Sequence, residues 1–131
     1  MNTPTQFEIL MAYHGTSLET HIDNNTFNPK KILQYLYNLV DLLEVLHLFG
    51  YAHGNIKPAN ILINNNQEVF LVGFTSSDSF VEDGRHVSDK KKFAQTGNFL
   101  LASMNACRGS SLSRRDDIEA LHYFLIYMMG K

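Results

Sequence analysis

Apolar side chains recur along residues 28–50 at alternating spacings of four and three, at Ile32, Leu36, Leu39, Leu43 and Leu46. An α-helix turns once in 3.6 residues, so this spacing lines one face and predicts a helix. Asn28 offers a capping side chain, Pro29 suits the first helical position, and Gly50 closes the pattern. The polar positions Lys31, Gln34, Asn38, Asp41 and Glu44 form only a narrow stripe, which predicts that the helix is largely buried. A second helix is expected over residues 116–129, where Ile118, Leu121, Phe124, Leu125, Ile126, Met128 and Met129 leave almost no polar side. Such a helix needs covering by something else.

Shorter patterns fill the rest of the chain. Residues 7–13 form an apolar run closed by His14-Gly15, read as a strand entering a turn, and a short helix is expected to begin within residues 16–21. Residues 60–63 and 68–72 are β-rich runs joined by Asn64-Asn65-Asn66-Gln67, the pattern of a hairpin. Residues 75–96 are polar, with Gly84 and a basic run over 85–92, and too little apolar periodicity for a packed element. They are expected to form a long loop, which in a compact domain is usually functional or mobile.

Composition narrows the class. With 131 residues and 44% apolar side chains, the chain suffices for one domain with a real core. The 11 basic and 13 acidic residues leave a net charge of -2, so bulk charge gives no case for nucleic acid or an anionic membrane. Cys107 is the only cysteine, which excludes an intramolecular disulfide and suits a reducing, intracellular setting, cytoplasmic or nuclear. The six histidines show no zinc-site spacing, and residues 1–6 lack the basic-then-apolar order of a signal peptide. No apolar run reaches the roughly 18 residues of a membrane span. Asn24-Asn25-Thr26 fits the glycosylation pattern but is read as chance.

Between the long helix and the hairpin stands His53-Gly54-Asn55-Ile56-Lys57-Pro58-Ala59-Asn60, which resembles the protein kinase catalytic loop H-R-D-x-K-x-x-N. Further on, Ser103-Met104-Asn105 and then Ser113-Arg114-Arg115-Asp116-Asp117-Ile118-Glu119 resemble the casein kinase 1 pattern, in which an S-I-N segment replaces A-P-E and S-R-R-D-D-L-E opens a helix. The pair His53-Gly54 and the stretch Gly84-Arg85-His86-Val87 resemble instead the vaccinia-related kinases, so both branches stay open. The resemblance implies an α+β, mainly α, kinase-like fold. It covers a partial C-terminal lobe: hinge strand, long helix, hairpin, activation-segment loop and central helix. Residues 1–131 then form one partial kinase-like domain, with the N-lobe and the final C-lobe helices absent.

The same resemblance assigns roles. Met11, Ala12 and Tyr13 fall at the nucleotide-binding hinge, Lys57 at the residue facing the transferred phosphate, and Asn60 at a metal ligand. His53 and Asp117 take structural positions, the aspartate accepting backbone N–H groups of the catalytic loop, although an acidic residue is favourable at any helix N-terminus. Arg114 and Arg115 are candidates for anion binding, or for simple pairing with Asp116 or Glu119.

Phosphoryl transfer needs a carboxylate near the attacking hydroxyl and metal ions held by Asp and Asn. Asn55 stands at the base position, where an amide cannot take a proton at neutral pH, a loss of about 100- to 10,000-fold in rate. Gly73-Phe74-Thr75 stands at the D-F-G position, removing the metal-binding carboxylate, and no G-x-G-x-x-G occurs in the chain. The expectation is therefore a pseudokinase-like module without a cofactor, which binds a kinase, a kinase substrate or a regulator, or associates with itself through exposed apolar helix. Neither nucleic acid nor membrane is an expected partner. The alternative is a serine/threonine kinase of casein kinase 1 type with residual phosphotransfer, in which case ATP and Mg bind.

Overall fold

The computed structural model describes residues 12–89 and 99–131. Most of the strand expected over 7–13, and part of the loop expected over 75–96, lie outside the described residues. The first element is β1 (Thr16–Ser17), followed directly by α1 (Leu18–Asp23). The Ser17 hydroxyl accepts the Thr20 N–H at 3.1 Å, which caps the helix, and Leu18 is fully buried. Part of the segment expected as helix is thus taken by a strand.

A 3₁₀ turn at Pro29–Lys31, capped by the Asn28 side chain accepting from Lys30 N at 3.1 Å, leads into α2 (Ile32–Leu48). Only one face of α2 is buried, through Tyr35, Leu39, Leu43 and His47. Leu33, Tyr37 and Leu48 are 71%, 68% and 80% exposed, which corrects the expectation of a largely buried helix. The reason is physical: an apolar face is buried only where another element lies against it, and α2 is covered on one side alone.

After α2 come β2 (Tyr51–Ala52), then β3 (Ile61–Ile63) and β4 (Val69–Leu71), the expected hairpin. Ile61 faces Leu71 and Ile63 faces Val69 across the antiparallel pair, and β1 adds to the other edge of β3. The connecting turn is tied by Asn64 Oδ1, which accepts from the backbone N–H of Asn66 and Glu68 at 2.9 and 3.0 Å.

The described part of the expected long loop is not structureless. β5 (Asp78–Ser79) pairs with β2, and β6 (Val81–Glu82) pairs with β7 (Arg85–His86) around Asp83-Gly84. Phe80, between them, is fully buried with Ala52, Ala106 and Leu112 in a small second core. One aromatic side chain supplies the packing that periodicity failed to show, and the Asp-Gly turn was the readable sign of the hairpin.

The short α3 (Met104–Cys107) precedes α4 (Arg114–Met129), which starts two residues before the expected position. Asp116 Oδ2 accepts the Ser113 N–H at 2.8 Å and Oδ1 accepts the Ser103 hydroxyl at 2.7 Å, fixing the helix start to α3. Ala120, Leu121, Phe124 and Met128 join Leu39, Leu43, Ile56 and Ile61 in the main core, while Ile118, Ile126 and Met129 are exposed. Among the described residues no helix is long and apolar enough to cross a membrane.

Candidate functional site

The loop His53 to Asn60 lies over the junction of α2 and α4, and a single carboxylate holds it there. Asp117, fully buried at the start of α4, accepts the backbone N–H of His53 at 2.7 Å and that of Gly54 at 2.8 Å. Its Oδ2 also lies 2.8 Å from His47 Nε2 of α2, so the loop and both long helices meet at one side chain. Ionised acceptors make the stronger hydrogen bonds, and burial excludes competing water.

His53 is fixed as firmly. Its Nδ1 accepts the Asn55 N–H at 3.2 Å, so the ring proton sits on Nε2 and is donated to the Val72 carbonyl at 3.0 Å. The ring meets Phe74 edge-on at 4.9 Å. Burial holds the imidazole below its ordinary pKa, against the smaller opposing effects of the Val72 carbonyl and Asp117, so His53 is a neutral link between loop and hairpin.

The Gly54 backbone has φ +74, and a side chain there would run into Leu112 and the Ser76 carbonyl. Position 54 therefore has no room for the arginine of the H-R-D pattern in this conformation.

The residues facing outward make a different set. Asn55 and Lys57 are half-buried, and among the described residues neither side chain has a hydrogen bond or ion pair. Asn60 turns inward: its Nδ2 donates to the Asn55 carbonyl at 2.8 Å, closing the loop on itself. Gly73 adopts φ +83, and a Cβ added there would lie 2.5 Å from Asn60 Oδ1. The Asn60 amide thus fills the space a side chain at 73 would need, and of the two positions it alone offers a side-chain oxygen. Among the described residues no three His, Cys, Asp or Glu side chains converge as a metal site.

Beside Gly73 opens a largely apolar cavity of about 680 Å³, walled by His14, Leu42, Leu46, Phe70, Val72 and Phe74 among others, with no Lys, Arg, Asp or Glu among the described residues that line it. Of the hinge candidates, Met11 lies outside the described residues, and Ala12 and Tyr13 are exposed. Tyr13 is 84% exposed and bonds to Thr16 at 3.2 Å, and neither residue lines this cavity. Arg114 stacks over the Phe80 ring at 4.8 Å, whereas Arg115 Nε lies 3.7 Å from Asp116 Oδ2. Glu119 bonds to the Met104 N–H and the Tyr123 hydroxyl instead of either arginine. Sequence reading missed His47 and Phe80 as parts of the site; only the helical register of His47, four residues after Leu43, pointed inward.

A helix, a loop tied by its backbone to a buried aspartate, and a hairpin ending at Gly73 define a protein kinase-like lobe. The protein kinase domain model matches residues 1–129, and the chain belongs to that family. Within it the relatives place the chain in the casein kinase 1 and vaccinia-related kinase group. Human serine/threonine-protein kinase VRK2 is 33% identical over 82% of this chain and 22% of its own length. A probable casein kinase I homolog of Encephalitozoon cuniculi is 35% identical over 69% of this chain and 29% of its own. A monkeypox virus protein named as a pseudokinase is 29% identical over 79% of this chain and 38% of its own. The chain therefore spans well under half the length of these relatives.

Proposed function

We propose that the chain is a catalytically impaired, pseudokinase-like module that acts by binding another protein and modulates a kinase pathway. The observation that carries this reading is the Asn60 amide, which closes on the Asn55 carbonyl and fills the space beside Gly73. A magnesium ion between phosphates needs anionic oxygens, and these two positions offer one neutral amide oxygen. Asn55 brings no carboxylate to a hydroxyl, and among the described residues the apolar cavity brings neither a lysine nor an arginine to a triphosphate. The exposed Leu33, Tyr37 and Leu48 of α2 and Ile118, Ile126 and Met129 of α4 support a protein partner or a second copy of the chain, since soluble monomers rarely expose large apolar patches.

A second reading has specific support. Lys57 has no side-chain partner among the described residues, and similar chains bear the name of serine/threonine kinases. It is a kinase with residual phosphotransfer, binding ATP and Mg. Thermal unfolding with and without Mg-ATP separates the two, because a ligand at 100 times its dissociation constant adds about 2.7 kcal/mol of stability. The pseudokinase reading expects no shift and no phosphate transferred to casein. A shift together with transfer abolished by Lys57→Ala establishes the enzyme instead. Light scattering at micromolar concentration reads self-association, for which a monomer is the contrary result.

A further inference from the structure

We infer that the exposed helix faces are covered by a second copy of this chain, in a two-fold dimer where the outward strip of α2 in each copy lies antiparallel on the outward strip of α4 in the other. The inference deepens the proposed function and rests on its reading of these faces as binding surfaces.

Spacing is the first ground. Leu33, Tyr37, Val40, Glu44 and Leu48 are all exposed and recur every three or four residues, so they share one strip of α2. On α4 the exposed strip is Ile118, His122, Ile126 and Met129. Followed backwards from Met129, it keeps step with the α2 strip from Leu33 to Glu44 to within one residue. An antiparallel crossing therefore sets Leu33 on Met129, Tyr37 on Ile126 and Val40 on His122, with apolar contact along most of its length.

Charge is the second ground. Asp41 and Glu44 are the only Asp, Glu, Lys or Arg of α2, and both are exposed without a partner among the described residues. The acids of α4 are turned away from its strip. Asp116 and Asp117 are buried, and Glu119 bonds to the Met104 N–H and the Tyr123 hydroxyl. Arg115 and His122 are left outward, the arginine side chain 62% exposed. The same antiparallel register brings Glu44 within one helical turn of Arg115 and puts Asp41 beside His122. In the parallel sense the exposed Lys30 would face Arg115 instead, and like charges disfavour that arrangement.

Area decides the symmetry. The apolar side chains of the two strips expose on the order of 700 Å² per copy, near the roughly 800 Å² that one partner gives to a standard interface. A single crossing would use only about half of this from each copy. A two-fold axis uses both strips of both copies and closes the assembly. The strips lie on neighbouring helices: Glu44 stands one turn before His47, Ile118 follows Asp117, and His47 and Asp117 are bonded to each other.

The test is sedimentation velocity of the full chain, unaltered and as Glu44→Arg and Arg115→Glu, between about 1 and 100 μM. The unaltered chain is expected to become a dimer across this range. Each single variant sets like charges at both crossings and is expected to associate about tenfold more weakly. In an equimolar mixture of the two variants opposite charges meet again at both crossings, and association is expected to return. A monomer throughout overturns the second copy, and growth beyond a dimer overturns the two-fold. Single variants that associate like the unaltered chain, or a mixture that does not recover, overturn the pairing of α2 with α4. Should a variant not fold, the unaltered chain decides alone: in a mixture of isotope-labelled and unlabelled copies, the Tyr37 ring must show NMR contacts to the Ile126 methyls of the other copy, and their absence overturns the pairing. The proposed function fails separately, since a dimer that transfers phosphate removes the pseudokinase reading alone, and a monomer without a nucleotide shift removes only this partner.

Discussion

The loop from His53 to Asn60 has two sides, and they have diverged. On the inner side, His53 and Gly54 hang from a fully buried Asp117, and His53 reaches across to the hairpin at Val72. On the outer side, the groups a phosphoryl-transfer site would use are an amide at 55, a Lys57 without a side-chain partner among the described residues, and an Asn60 turned onto its own loop. The inner interactions are buried or part-buried, and those to Asp117 share one acceptor, so losing that side chain leaves the donors unsatisfied together. The outer groups carry little of the fold, so their identity changes at small structural cost. The anchoring of the loop and the positions of the phosphoryl-transfer pattern thus rest on different residues of one eight-residue loop.

The largest effect belongs to the inner side. Asp117→Ala removes the acceptor of His53 N, Gly54 N and His47 Nε2 together, leaving buried donors without partners, and is expected to cost about 3–5 kcal/mol in urea unfolding. A cost below about 1 kcal/mol would break the contrast, because the anchor would then be no stronger than the surface. Next comes Phe80→Ala, which empties the centre of the second core and is expected to cost about 3 kcal/mol by the same measurement. A neutral outcome there would show that the strands following Gly73 do not depend on packing.

Phe80 also marks where sequence reading stopped. The long helix, the hairpin and the start of α4 were legible because their signals are local: a three-and-four spacing, an amide-rich turn, a capping acid. The loop was legible because His53, Lys57 and Asn60 stand at the spacing of the catalytic-loop pattern it resembles. The pairing of β5 with β2 was not, since two-residue strands have no periodicity and their partners lie far back in the chain, at Tyr51↔Ser79 and Ala52↔Asp78. Nor was the exposure of Leu33 and Tyr37, because composition reports what a helix can bury and not what lies beside it. Gly73 was readable as a lost carboxylate, but that the Asn60 amide fills its place depends on a positive φ that glycine alone does not announce.

That replacement gives a sharper test of the outer side. Gly73→Asp restores the letter of the kinase motif, yet at φ +83 a side chain is strained and meets Asn60. The substitution is expected to cost about 1–3 kcal/mol, with no recovery of stability on adding Mg. Recovery by Mg would mean that Asn60 can turn outward and that the metal site is lost by one residue only.

The inner side also predicts a dependence on pH. Burial lowers the His53 pKa below its ordinary 6.5, so the unfolded chain takes up the proton first as pH falls. The stabilisation is complete above that value and is lost as pH drops through it towards the folded-state pKa, with a slope of at most about 1.4 kcal/mol per pH unit. Denaturation of the unaltered chain and of His53→Gln between pH 7.5 and about 5 isolates this contribution from the other histidines. Parallel curves would remove His53 from the anchored set.

Lys57 is expected to matter least to the fold. It sits in extended backbone ahead of the turn Pro58–Asn60, where its carbonyl accepts the Asn60 N–H at 2.9 Å, and that backbone bond survives any substitution of the side chain. Lys57→Ala should therefore change unfolding stability by no more than about 0.5 kcal/mol. The contrast with Asp117 then becomes a measured difference of several kcal/mol between two residues that serve one loop. A loss above about 1 kcal/mol would instead place the Lys57 ammonium in a structural contact and move it from the chemical side of the loop to the anchored one.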